Sequence, residues 1–227
     1  MNAITDPMRK AGWTVRSRIR ATIMSAGLAA ILGATTAPAA DLPERLRAMT
    51  PEAFGATATL KHDPGARRTI LSTEAGHVPS RVSPIRHLLS DNHLRAVIDW
   101  RTGAVRYEVH QRILYWGAHA RDRRGYAAAS YEAPDGLRVG GLIEARDGES
   151  FCPNEDNLGP CAHTRHIVFS IGEEELRAIA ARHRDGAPDP WAFRIAEPGG
   201  RHWEDAIVPA EAAGLLIALD RHRAAQG

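Results

Sequence analysis

The most regular pattern of apolar and polar positions runs from Leu94 to Trp116. Leu94–Asp99 leads into Trp100-Arg101-Thr102-Gly103, after which Val105, Tyr107, Val109, Ile113 and Tyr115 alternate with Arg106, Glu108, His110 and Arg112. A period of two with polar partners predicts a half-buried strand. Gly103 can supply the positive φ of a tight turn, so the segment reads as a β-hairpin. A second hairpin is expected to join Tyr126–Glu132 to Leu137–Ala145 through Pro134-Asp135-Gly136. A third joins Trp191–Ala196 to His202–Val208 around Pro198-Gly199-Gly200.

Helical periodicity enters only in the C-terminal third. Arg165–Ile171 reads as an apolar strand, and Ser170-Ile171-Gly172-Glu173 resembles a capping box opening a helix. Leu176, Ile179, Ala180 and His183 share one face of that helix, and Gly186 with Pro188 and Pro190 should end it. Pro209 suits the first position of a final helix whose buried stripe is Ala212, Leu215, Leu216 and Leu219. Hairpins followed by helices predict an α+β fold: an antiparallel sheet with two C-terminal helices packed on one face. Residues 74–92, with Gly76, Pro79 and Pro84 and no sustained period, read as a long surface loop.

The N-terminal pattern is of another kind. Arg9, Lys10, Arg16, Arg18 and Arg20 precede a small apolar run from Ala21 to Gly33, and Ala37-Pro38-Ala39-Ala40 follows. At roughly a dozen residues that run is shorter than the ~20 a membrane helix needs. The three regions read as a secretory signal peptide over residues 1–39, cleaved after Ala39 or Ala40, with one α+β domain over 40–227. An uncleaved anchor is the rival. No Cys follows the apolar run and no twin-Arg pair precedes it, so a lipoprotein and the folded-protein export route are set aside. The expected location is the periplasm or the extracellular space.

Charge then changes meaning. The whole chain holds 29 basic and 27 acidic residues, five and one of which lie in residues 1–39. The remaining 24 basic and 26 acidic residues give about −2, which removes the case for a nucleic-acid partner. No later apolar run is long enough to span a membrane.

Candidate chemistry is sparse. Cys152 and Cys161 flank a polar, turn-rich segment, which in an oxidising compartment predicts a disulfide. Zinc is the alternative, because His163 and His166 follow closely, yet in an extended strand those two point to opposite faces. The eleven histidines are dispersed, with no zincin or haem-attachment spacing. Neither a Gly-x-Ser-x-Gly elbow nor a Ser-x-x-Lys pair occurs, and no cofactor motif is found. All four tyrosines (107, 115, 126, 131) fall between Trp100 and Glu132, near the cationic run Arg121, Arg123, Arg124. Trp100, Trp116, Arg121, Arg123 and Arg124 therefore form the candidate binding surface, suited to stacking and bidentate contacts; core packing is the competing explanation for the aromatics. The resulting expectation is a non-catalytic envelope accessory protein that binds a glycan, peptide or protein. The alternatives are a secreted hydrolase lacking a recognisable motif and a metal-handling protein.

Overall fold

The alternation over 105–115 becomes one long strand, and the rest of the architecture is arranged around it. The structure is a computed structural model that describes residues 44–77, 91–119, 121–152, 158–183 and 190–227. The proposed signal segment and its cleavage site, residues 78–90 of the expected loop, most of the segment between the cysteines, and the Gly186–Pro188 helix stop lie outside the described residues.

In chain order the elements are α1 (Glu44–Arg47), α2 (Pro51–Thr57), β1 (Thr59–Asp63), β2 (Arg68–Ser72), a 3-10 turn (Glu74–His77), β3 (Asp91–Asp99), β4 (Val105–His119), β5 (Ala128–Ala133), β6 (Gly136–Gly141), β7 (Glu144–Phe151), β8 (Leu158–Ile171), α3 (Glu173–Ala181), β9 (Trp191–Ala196), β10 (His202–Ile207) and α4 (Pro209–Ala224). The three expected hairpins are present as β3–β4, β5–β6 and β9–β10, with Gly103, Gly136 and Gly200 at positive φ.

The fold is α+β and antiparallel, but the described residues form two sheets where the sequence predicts one. Six strands run in the order β1-β2-β3-β4-β8-β7, and four in the order β10-β9-β5-β6. The single strand expected over Leu137–Ala145 is in fact two. Pairing with β5 ends at Gly141, and the chain then crosses to the larger sheet, where Glu144 pairs with Val168. The capping box is also corrected. Ser170 stays in the strand ladder opposite Glu108, and Gly172 is the N-cap of α3 with no side-chain cap bond. Ladder pairing up to Ile171 leaves Ser170 no route back to the helix. Of the expected 74–92 loop, Glu74–His77 is a 3-10 turn and Asp91 and Asn92 already belong to β3.

Parity along β4 and β8 divides the large sheet into two faces. Tyr107, Val109, Ile113 and Tyr115 join Ile167, Phe169 and Ile171 on the inner face. Over part of that face lies the small sheet, through an aromatic cluster of Tyr131, Phe169, Trp191 and Phe193 with ring centroids 5.2–5.9 Å apart. The two C-terminal helices pack together and complete the same core through Leu176, Ile179, Leu215 and Leu219. Buried Glu211 fastens α4 to the sheet: the Thr73 hydroxyl and the Leu94 N–H both donate to its Oε1, at 2.5 and 3.0 Å. Among the described residues no helix is long and apolar enough to cross a membrane.

Candidate functional site

The outer face of the large sheet carries what the inner face excludes. Trp116, on β4, has the opposite parity to Tyr115 and is 64% exposed. It pairs with Ala162 on β8, and Ala162 pairs with Phe151 on β7, itself 59% exposed. With neighbouring strands ~4.8 Å apart, two exposed aromatics stand roughly 10 Å apart on one face with a methyl group between them. Ala162 between them is only 2% exposed, so the rings and their neighbours cover it and no open slot separates them.

A register shift produces this row. Asp147 pairs with Arg165, but Ser150 pairs with His163 and Phe151 with Ala162, so one extra residue is accommodated in β7 between them. Without that bulge Glu149 would face His163, and Phe151 would fall out of line with Trp116. Gly148 makes the bulge possible, because a Cβ there would collide with Thr164 Oγ1, which donates to the Glu149 carbonyl at 3.0 Å. Immediately beyond Phe151 the Cys152–Cys161 disulfide ties the end of β7 to β8. The expected pairing is therefore present, and its cysteines are not free to bind zinc.

Beside Trp116 opens a cleft of about 380 Å³ lined by Asp122, Arg123, Arg124 and Arg201. Arg124 is anchored structurally: its guanidinium lies 4.7 Å from the Tyr115 ring centroid, and its backbone N–H donates to the Tyr115 hydroxyl. Glu197 balances part of the charge, 4.0 Å from Arg124 and 3.2 Å from Arg201. Asp122 accepts from the His119 N–H at 2.9 Å, and that backbone bond, ahead of its other contacts, holds its carboxyl below the ordinary range. Asp147 meets Arg123 at 3.7 Å, so the three guanidinium groups stand against three carboxylates, Asp122, Glu197 and Asp147.

The structure groups Trp116, Arg123 and Arg124 of the candidate surface, and adds Arg201, Phe151 and Ala162. It separates the others. Arg121 is exposed but outside the cleft lining. Trp100 sits in the β3–β4 turn, its indole N–H donating to Thr69 Oγ1 at 2.8 Å beside His62. Roughly 35 Å of β4 divides it from Trp116. Phe151 and Arg201 leave no periodic trace in the sequence; the proximity of Phe151 to Cys152 is the one available hint.

Farther along the outer face is a polar cluster. His93, His110 and His166 lie on three adjacent strands, with ring centroids 5.0 Å apart for the first two and 5.3 Å for the last two. A carboxylate only accepts, so His110 Nε2–H donates to Glu108 Oε2 at 2.9 Å. His110 Nδ1 then accepts from His166 Nε2–H at 3.4 Å. Burial pushes His110 down, outweighing its bond to Glu108. Burial, then the neighbouring His110 and Arg146, pushes His166 down to about 4. Burial works against the charged form of Glu108, but bonds from His110 and Arg106 prevail and hold it below the carboxylate range. His166 opens into a cleft of about 310 Å³ where Arg95, Arg112 and Arg165 are matched by Glu74, Asp91 and Asp147. Two imidazole nitrogens converge here, yet among the described residues no three His, Cys, Asp or Glu side chains are placed to hold a metal. His163 and His166 do face opposite ways, the first stacked on Tyr115 and the second beside His110.

No family model matches the chain, and neither the curated proteins nor the solved structures contain a match to it.

Proposed function

We propose that this chain is an exported binding protein that takes an acidic glycan of the cell envelope on the Trp116–Phe151 shelf. The observation that carries this reading is exposed Trp116 at the mouth of the cleft of Arg123, Arg124 and Arg201, with exposed Phe151 two strands away on the face of Trp116. Large exposed aromatics are expensive to leave in water unless a partner covers them. A sugar ring offers a flat C–H face to stack on an indole or phenyl ring, and its carboxylate suits a guanidinium fork. The disulfide beside Phe151 favours an oxidising compartment, as the N-terminal segment does.

The experiment is retention of the protein, lacking residues 1–39, on carboxylate-bearing glycan (peptidoglycan sacculi or polyuronate) and on neutral glycan of similar length. Retention on the acidic material that weakens as salt rises is expected, since exposed charges are screened. Equal retention on both, or none, overturns the reading.

A further inference from the structure

Ser150 and His163 face each other directly across β7 and β8, an arrangement that ligand binding on the shelf does not require. We propose that they form a nucleophile–base pair that cleaves carboxylic esters. Ser150 is exposed, and its Oγ lies 2.9 Å from Nδ1 of the fully buried His163. On the far side of the ring, His163 Nε2 lies 3.1 Å from the His119 carbonyl oxygen. A carbonyl can only accept, so the proton resides on Nε2, and the Nδ1 lone pair is shared between the serine hydroxyl and an Arg123 N–H. The pair thus has its orienting third group, a backbone carbonyl in place of the more familiar carboxylate.

Arg123 completes the constellation. Its Nη1 is 2.5 Å from Ser150 Oγ and 3.1 Å from His163 Nδ1. For the proton to reach Nδ1, Arg123 must give up its contact there and keep the one to Oγ; the cation, held by Asp147 at 3.7 Å, then stabilises negative charge on Oγ and on the carbonyl oxygen of a bound ester. Two local devices hold the geometry. The β7 bulge sets Ser150, not Glu149, opposite His163. Gly117 lets the imidazole seat against β4, because a Cβ there would lie 3.0 Å from His163 Nε2 and 2.7 Å from Asp122.

The chemistry balances with water as the only co-reactant. Ser150 Oγ bonds to the ester carbonyl carbon as its proton passes to His163 Nδ1. Collapse of the tetrahedral adduct breaks the bond to the alcohol oxygen, which takes that proton and departs. Water then attacks the acyl-serine, giving its proton to Nδ1, and Ser150 recovers it as the carboxylic acid leaves. The substrate class is a carboxylic ester. A preference for esters on acidic molecules rests on the glycan reading, since Arg124 and Arg201 border the site; the nucleophile itself does not.

The test uses a fluorophosphonate probe on the disulfide-intact protein, with the adduct mapped by mass spectrometry. One stoichiometric adduct on Ser150 is expected, absent in Ser150→Ala and formed about 100-fold more slowly in His163→Gln. p-Nitrophenyl acetate hydrolysis should fall in parallel. Absence of an adduct, or an adduct that persists in Ser150→Ala, overturns the proposal. Should His163→Gln fail to fold, Ser150→Cys replaces it. Its thiol should alkylate with an apparent pKa below the free-cysteine value of about 8.5, and an unactivated thiol overturns the proposal equally. The small probe needs no glycan, so failure of labelling and failure of glycan retention are read independently.

Discussion

Trp116 and Tyr115 are adjacent in β4 and face opposite ways, the first 64% exposed and the second 4%. Their truncations should therefore separate stability from function. Tyr115 packs in the core and supports Arg124, so Tyr115→Ala is expected to destabilise by about 3–5 kcal/mol. Trp116→Ala should stay within about 0.5 kcal/mol of the parent, as surface changes usually do. Chemical unfolding of both variants is the measurement, and equal losses would make Trp116 part of the packing.

The Cys152–Cys161 disulfide closes a short loop at the end of an exposed edge strand. Removing it should cost about 3 kcal/mol through the unfolded chain. Cys152→Ser, Cys161→Ser and the double variant should melt at nearly the same temperature, all below the parent. A double variant much less stable than either single one would contradict a simple cross-link.

Stability should fall as the solution is acidified from neutral. His110 and His166 have folded pKa values below the unfolded value of about 6.5, so the unfolded chain takes up protons first as pH drops. The contribution of His166 is complete above pH 6.5 and is lost as the pH falls toward about 4, and His110 adds a loss of the same sign below pH 6.5. Glu108 adds a loss of the same sign below the ordinary carboxylate value. Around these rings stand His93 and Arg95 on β3, Arg106 on β4, and Glu144 and Arg146 on β7. Urea midpoints at pH 7.0, 5.5 and 4.5 should decline steadily, and His166→Gln should flatten the curve. An unchanged slope in that variant would place the titrating groups elsewhere.

Strand β4 was legible because its two faces meet different surroundings: Val105–Tyr115 alternates, and the inner residues are the core. Tyr107 and Trp116 were separable by parity alone. Strand β7 was not legible. Glu144–Phe151 is exposed at every position, so no buried face imposes a period; the strand expected over Leu137–Ala145 takes in only its first two residues. Register is likewise hidden. The one-residue bulge that aligns Phe151 with Trp116 and Ser150 with His163 depends on pairing with a strand more than ten residues away. Grouping Trp100 with Trp116 failed for a related reason, since nearness in sequence is not nearness along an extended strand.

That bulge makes Gly148 a sensitive position. Gly148→Ala drives a Cβ into Thr164, so the edge strand must shift or release its pairing. A loss of about 1–3 kcal/mol is expected, with loss of both glycan retention and probe labelling. Thr164→Ser keeps the hydroxyl that bonds Glu149 and should preserve both. Full function in Gly148→Ala would show that neither site depends on the bulge.

Calorimetric titration of one soluble acidic glycan fragment into the parent and into Trp116→Ala tests the central claim most directly. Stacking on an indole contributes on the order of 1 kcal/mol or more, so affinity should fall about tenfold or further while the melting temperature holds. Equal affinity in the two proteins, with both folded, would contradict the account.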